Sequence, residues 1–431
     1  MRMRLIRKSI KNIWQIIVIV WLVFAYQLMS NMVPDEVKLI DGDLSKLDIS
    51  MPVTFECRDS GKRFIDTSVM ENQRLQSSMD KASVERNEID MASDTVVLRA
   101  KLFGIIPIKE VQADIVAEQE VYASGENIGI YVQTDGIFVI GTGNFEGMDG
   151  VLYAPAQNVL KSGDYICAVD GKKLENKEAL MDVVDKCEGK SLVLRIRRNG
   201  ETLELYIQPK LSKEETYKLG VWVRDDLAGI GTLTYISQDG SYGALGHAVT
   251  DMDTGSMLEV GTGKLYNSRL VGIVKGESGK PGELSGVINY EEKYCMGDIK
   301  ENCERGIYGT LHEKNNLLEN AVAYPVGYKQ DIEPGEAEII SDIDGTIAHY
   351  KIRITEVNYR KNKENKSILF EVEDAALLES TGGIVQGMSG SPVIQNGRLI
   401  GAVTHVFVDD AKRGYGIFIE DMLEIEKTSN P

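Results

Sequence analysis

A mainly β chain with an N-terminal membrane helix is the fold class the sequence predicts, on three observations. Forty-two glycines, near a tenth of the 431 residues, punctuate short β-branched runs. Helix-period stretches are few beyond the first thirty residues. An apolar segment from Ile13 to Met29 directly follows a basic flank at the start of the chain. The length exceeds what one hydrophobic core accommodates. It divides by texture into 1–30 (basic flank and membrane segment), 31–94 (stalk), 95–210 (strand lead-in and a small binding module) and 211–431 (a larger β domain).

The net charge of −18 excludes nucleic acid as a partner, because phosphate binding needs a basic surface. The cysteines Cys57, Cys167, Cys187, Cys295 and Cys303 are scattered, with no zinc-type or CxxC spacing. A Cys295–Cys303 bridge is the pairing left open, and no metal or organic cofactor is implied.

Arg2, Arg4, Arg7, Lys8 and Lys11 precede the apolar run, which only Gln15 and Gln27 interrupt. At ~1.5 Å per residue that run is about the minimum for crossing a bilayer. The basic flank stays cytoplasmic, which sends the rest of the chain outside. A small-x-small cleavage site is lacking, so the segment reads as an uncleaved signal anchor rather than a cleaved signal. Residues 41–94 are polar and charge-mixed, with short helices at most around 71–74 and 81–87; they read as a stalk open to proteolysis.

From Thr95 the texture turns to strands broken at Gly104. Between about 120 and 209 come short strands at 129–132 and 136–140, a loop, a helix from Asn176 to about Cys187, and a hairpin turned at Asn199-Gly200. The pieces Pro155-Ala156, Ser162-Gly163-Asp164 and Val169-Asp170-Gly171, followed by that helix and hairpin, resemble a PDZ domain of the bacterial protease-associated type. The resemblance implies capture of a peptide or C-terminus by strand addition. It places the turn that holds the ligand at Ile128, Gly129, Ile130 and Tyr131, with the helix as the other wall of the groove.

Beyond about Lys218, strand-length apolar stretches alternate with glycine turns, as expected of a β-barrel arrangement. Within it, Gly387-Met388-Ser389-Gly390-Ser391-Pro392 places serine among glycines on a tight turn. Small neighbours leave a hydroxyl reachable and let successive N–H groups converge on the oxygen of an attacked carbonyl. The spacing resembles the nucleophile motif of trypsin-like serine proteases, which selects Ser389 over Ser391 and Gly387 with Ser389 as the oxyanion hole. A serine needs a base. Of His247, His312, His349 and His405, only His247 sits in a small-residue turn, Gly243-Ala244-Leu245-Gly246-His247. His405 lies on an alternating strand soon after the serine and is assigned to the substrate cleft; His312 and His349 read as surface residues. Spacing does not choose a carboxylate among Asp251, Asp253, Glu371, Glu373 and Asp374.

Together, Gly246-His247, Asp251-x-Asp253-Thr254-Gly255, the Thr381–Pro392 stretch, Gly401-Ala402-Val403-Thr404-His405-Val406 and Gly414-Tyr415-Gly416-Ile417 resemble the stage IV sporulation protein B peptidases. The resemblance implies a trypsin-like double β-barrel serine endopeptidase with the triad His247, Asp374 and Ser389. It implies a location between the two membranes around the forespore and self-cleavage in the N-terminal region. It also implies a signalling cut in a regulatory subunit of an intramembrane protease complex, which releases a late sigma factor. Met388 stands where digestive trypsin-like enzymes carry an acid, so activation by a newly formed N-terminus is not expected. Two alternatives are a membrane-tethered peptide-binding scaffold with an inactive protease fold and a general envelope quality-control protease.

Overall fold

The N-terminal helix α1 (Arg2–Met32) ends where Pro34 denies it a backbone donor, and the chain passes directly into strand β1 (Glu36–Ile40). This computed structural model describes residues 2–41, 47, 53–58, 64–66, 95–312, 321–359 and 364–429. The proposed short helices at 71–74 and 81–87, and most of the stalk, lie outside the described residues. Residues Trp14–Met32 are long and apolar enough to cross a membrane; none of them is fully buried, and the C-terminal end, around Tyr26 and Met29, touches the first sheet.

Part of the expected stalk is folded. Strand β1 pairs in parallel with β5 (Ile106–Val116), in a sheet completed by β2 (Val53–Arg58), β3 (Phe64–Asp66) and β4 (Thr95–Leu102). Alternate residues of these strands bury Val37, Leu39, Phe55, Leu98, Ala100, Val111 and Ala113 in one core, which Val33 also enters. The sheet docks on the rest of the protein through Ile40, which shares a core with Val121, Val326 and Tyr328. The Gln330 side chain donates to the Lys38 carbonyl at 2.8 Å.

Next come β6 (Glu120–Ala123) and the long β7 (Asn127–Thr142), followed by a small module of β8 (Phe145–Glu146), β9 (Leu152–Tyr153), β10 (Tyr165–Val169), β11 (Lys172–Lys173), helix α2 (Lys177–Lys186), β12 (Leu192–Arg198), β13 (Glu201–Ile207), β14 (Lys210–Leu211) and β15 (Tyr217–Lys218). Asn176 caps α2, its side-chain oxygen accepting from the Ala179 N–H at 2.9 Å. Leu180 and Val184, one turn apart, carry the helix onto Ile137, Val139, Ile166, Leu194 and Ile196. The turn at Asn199-Gly200 has positive φ at both positions (51° and 81°), as a tight two-residue hairpin requires.

The remaining strands form two barrels. Strands β7, β16 (Val221–Ile236), β17 (Ser241–Ala244), β18 (Val260–Val274), β20 (Cys295–Cys303) and β21 (Gly306–Leu311) close a ring around Ile128, Ile130, Leu233, Tyr242, Leu265 and Ile307. Strands β19 (Glu283–Ile288) and β22 (Val322–Pro325) attach to it at β18 and β6. The second barrel closes in the order β23 (Gly335–Asp342), β24 (Ile347–Val357), β25 (Ile368–Val372), β28 (Arg413–Phe418), β27 (Arg398–Val406) and β26 (Pro392–Gln395). Helix α3 (Ala375–Thr381) precedes the serine turn, and α4 (Ile419–Ser429) ends the described chain.

The division expected at 210/211 is crossed by two strands. The first half of β7 pairs with β16 and β18 inside the first barrel, while its second half pairs with β10 and β16 in the small module. The module is thus an insertion between two strands of the barrel. Cys295 and Cys303 are free thiols at opposite ends of β20, about 27 Å apart at ~3.4 Å per residue, so the bridge left open above is not formed.

Candidate active site at the barrel seam

The backbone reverses after β17 through Leu245 and Gly246, both at φ 70°, and so delivers His247 to the seam between the barrels. A Cβ at Gly246 would lie 2.9 Å from Thr404 Cγ2, so the histidine turn packs directly on β27 of the second barrel. The serine turn meets it from the other side. A Cβ on Gly390 would come within 2.2 Å of the Thr232 carbonyl oxygen and 2.6 Å of the Leu245 nitrogen. Only glycine fits there, and φ of 96° adds the same demand.

Thr232, buried on β16, holds both turns, a role nothing in the sequence signalled. Its N–H donates to the Ser389 carbonyl at 3.0 Å and its hydroxyl donates to the Gly387 carbonyl at 2.9 Å. Its own carbonyl accepts from the Leu245 N–H at 3.3 Å. Thr232→Val keeps the shape and removes the hydroxyl, leaving the Gly387 carbonyl short of a partner. Unfolding free energy is expected to fall by about 1–2 kcal/mol, and kcat to fall with little change in KM; chemical denaturation and steady-state kinetics check this.

The two serines differ sharply. Ser389 is half-buried, while Ser391 is fully buried with its hydroxyl donating to Ser341 Oγ at 3.2 Å. Met388 is fully buried among Ile384, Val385 and Leu284 in the second barrel's core. The carbonyls before the two amides expected to form the oxyanion hole are anchored: Gln386 O accepts from the Leu284 N–H at 2.8 Å and Met388 O from the Ser391 N–H at 3.0 Å. All peptide bonds described are trans, so fixing each carbonyl turns the Gly387 and Ser389 N–H groups the opposite way.

The His247 imidazole is hydrogen-bonded through Nδ1 to the Ala248 carbonyl at 2.9 Å. A carbonyl only accepts, so Nδ1 carries the proton and Nε2 is left as the basic nitrogen. Burial holds its pKa below the usual 6.5, opposed by that hydrogen bond. The ring is therefore neutral at pH 7, the state a general base needs. An activity that requires it unprotonated falls as pH drops through a value below 6.5, so the acid limb of kcat/KM is expected on the acid side of an ordinary histidine.

The expected pairing of His247 with Asp374 is not formed. Asp374 caps α3, one oxygen accepting from the Ala376 and Leu377 N–H groups at 3.0 and 3.1 Å and the other from the Lys351 N–H at 3.3 Å. The reason is local: a helix begins at Ala375, and its orphan donors claim the nearest carboxylate. The other candidates are also engaged elsewhere. Asp251 and Asp253 pair with Arg224, Glu373 pairs with Arg353, and Glu371 is exposed on β25. Asp374→Ala is expected to cost about 1 kcal/mol of stability and Asp374→Asn much less, because Asn caps as well; thermal unfolding of both variants checks it.

His405 reaches the site from β27, its ring centroid 5.7 Å from that of His247 at a 41° tilt. Its Nδ1 is buried without a hydrogen-bond partner. Burial first, then the neighbouring His247 and Lys366, push its pKa down to about 4. Between about 4 and 6.5 the unfolded chain binds a proton there that the folded chain refuses, so stability falls as pH drops across that window. His405→Phe is expected to flatten that fall, as read from unfolding midpoints at pH 7 and pH 5. His312 and His349 lie away from the seam, paired with Asp298 and Glu338 at the surface.

Two asparagines hold the histidine segment. Asn302 on β20 donates to the carbonyls of Val249 and Leu258 at 2.9 Å and accepts from the Val249 N–H at 2.8 Å. Asn365, buried at φ 53°, donates across the seam to the Gly246 carbonyl at 3.1 Å and to the Glu304 carbonyl, while its own carbonyl accepts from the Thr404 hydroxyl at 2.7 Å.

The second predicted site is displaced. Ile128, Gly129, Ile130 and Tyr131 lie in β7 with both edges occupied: Ile128 faces Gly231 and Asn267, and Tyr131 faces Ala228 and Lys264. No strand can be added there. By contrast, Val221–Arg224 pair only with β7 among the described residues, and α2 lies against β15 and β16, tied there by the Lys177 ammonium on Asp225 at 2.7 Å. Gly220 leads into this edge at φ 69°, within Lys218-Leu219-Gly220-Val221. An apolar-Gly-apolar stretch beside a strand was the available signal, and it recurs along this chain, as at Ile128-Gly129-Ile130 and Phe103-Gly104-Ile105.

Residues 215–423 match the family model described as SpoIVB peptidase S55. Over this segment, just under half of the chain, the sequence is similar to the SpoIVB peptidase S55 family. The matched segment starts just before β15, takes in His247, Asp374, Ser389 and His405, and supports a serine peptidase. Among solved structures, the PDZ domain of the SdrC-like protein from Listeria monocytogenes is similar at 22% identity, covering 21% of this chain and 87% of that one (TM-score 0.18). The active form of the Rv3671c protease from M. tuberculosis is similar at 17% identity, covering 46% and 74% (TM-score 0.25). The HtrA-type protease AlgW with a decapeptide is similar at 13% identity over 48% and 53% (TM-score 0.24).

Proposed function

We propose that this chain is a membrane-anchored serine endopeptidase that cleaves itself and then a regulatory subunit of an intramembrane protease complex during sporulation, releasing a late sigma factor. The observation that carries the catalytic part is the contact of the Gly390 turn with Leu245, which sets the serine and histidine turns against each other at the seam. Ser389 Oγ attacks the scissile carbonyl, His247 Nε2 takes its proton and returns it to the leaving amine, and the N–H groups of Gly387 and Ser389 receive the oxyanion. The Ala248 carbonyl supports the imidazole in the required tautomer, and Asp374 acts on the serine turn through α3.

His405 lines the cleft beside the base. The edge Val221–Arg224 facing α2 is the proposed peptide groove, for a substrate segment or a C-terminus. In the same reading α1 is an uncleaved anchor with its basic end in the cytoplasm, and the bulk of the protein lies between the two forespore membranes. The test is to express wild type and Ser389→Ala in the sporulating cell and to map N-terminal fragments of this chain and of the regulatory subunit. New N-termini in wild type alone support the assignment; identical intact products from both would refute it.

A further inference from the structure

The hairpin joining β4 to β5 carries an apolar tip that the peptidase does not use. From Leu102 to Ile108 the chain reads Leu-Phe-Gly-Ile-Ile-Pro-Ile with no charged residue. At its end Phe103, Ile105 and Ile106 are 65%, 79% and 49% exposed. A turn in water ordinarily carries polar residues. The tip's direction is fixed by its neighbours. Strand β5 pairs with β1 in parallel, Ile40 opposite Val116 and Glu36 opposite Gln112. Following β5 back toward the tip, the Asp35 carbonyl accepts from the Gln112 N–H, the Lys109 ammonium meets Asp35 at 2.7 Å, and the Tyr26 hydroxyl donates to the Ile108 carbonyl at 2.7 Å. The strand thus runs alongside the apolar helix, toward its N-terminus.

We propose that Phe103, Ile105 and Ile106 form a second membrane contact, seated at the headgroup–acyl boundary beside α1. This rests on the reading of α1 as a membrane anchor. Tyr26 is six residues inside the C-terminal end of the candidate span, about 9 Å at ~1.5 Å per residue. Ile105 lies three residues past Ile108, about 10 Å further in at ~3.4 Å per residue. A tyrosine hydroxyl belongs at the interface, so the tip reaches acyl chains while the strands stay in water. The flanking charges fit the same plane: Lys101 and Lys109 bracket the tip, their ammonium groups drawn back onto Glu56 and Asp35. Two attachment points fix the tilt of the first sheet, which a single helix leaves free.

The test uses the full chain reconstituted in phosphatidylcholine–phosphatidylglycerol vesicles. An environment-sensitive fluorophore is placed through Ile105→Cys, Leu22→Cys or Met148→Cys, and the signal of identically treated wild type is subtracted. The expected result is a blue-shifted emission at positions 105 and 22, lost on adding lipid carrying a shallow spin label and resistant to aqueous iodide. Position 148, exposed in the inserted module, responds only to iodide. Lipid quenching at 22 with iodide quenching at 105 overturns the hairpin contact and leaves the anchor standing, including the case where a protein covers the tip in the cell. Iodide quenching at both positions overturns the anchor and this inference together.

Discussion

Ser389→Ala is expected to lower kcat by about 10^6-fold, to background, with the thermal midpoint unchanged. Ser391→Ala keeps most of the activity and instead loses stability. The asymmetry follows from burial. Ser389 is half-buried at the seam with no hydrogen bond from its hydroxyl to another described residue, so removing the oxygen leaves nothing unsatisfied. Ser391 is fully buried and bonded to Ser341, so its loss strands a hydroxyl in the second barrel, at a cost of about 1–3 kcal/mol. Single-turnover cleavage and thermal unfolding of the two variants separate the roles. Activity surviving in Ser389→Ala, or vanishing in Ser391→Ala at full stability, would reverse the assignment.

Asn365→Leu is expected to damage both stability and catalysis. The residue at this position joins three pieces of chain: its side-chain amide donates to Gly246 and Glu304 in the first barrel, and its backbone carbonyl accepts from Thr404 in the second. A leucine removes the donor and leaves the buried Gly246 carbonyl and the more exposed Glu304 carbonyl without it. It also occupies a left-handed backbone that asparagine tolerates and leucine resists. Together these cost on the order of 3–5 kcal/mol. The carbonyl of Gly246 precedes the His247 nitrogen, so the proposed base loses its fixed position as well. Asn365→Gly restores the backbone but not the donor. Its midpoint is expected between wild type and leucine, with kcat still reduced, and comparing the three by unfolding and kinetics separates strain from positioning.

The parts of this architecture that were legible are those dictated by local chemistry. The serine turn stood out because Gly387 and Gly390 are required by their backbone angles, and Gly390 also by the near-contact with Thr232. Helix α2 and the Asn199-Gly200 hairpin were readable from their spacing and turn residues. Long-range pairing was not legible. Nothing in Glu36–Ile40 announces a partner at Gln112–Val116, so that strand looked like stalk. Ile128–Tyr131 has the apolar-glycine look of a ligand-binding turn, yet β16 and β18 from far along the chain occupy both its edges. Asp374 lies at a plausible distance before the serine, but an acid that opens a helix has a claim on it closer than any histidine. Thr232 was invisible because its partners, Leu245, Gly387 and Ser389, are up to 157 residues away in sequence.

Strand β16 begins at the open edge beside α2 and ends inside the first barrel, paired with β7 on both sides of a bulge at Asp225. Eight residues separate Arg224 from Thr232, roughly 27 Å of extended backbone at ~3.4 Å per residue. Excising the inserted module would therefore leave two severed barrel strands rather than a smaller working peptidase. Evolutionary gain or loss of the module likewise has to preserve β7 and β16, which pair with each other in both halves. A single ruler of peptide bonds, with no linker to slacken it, measures the separation between the proposed peptide groove and the hydroxyl that would cut.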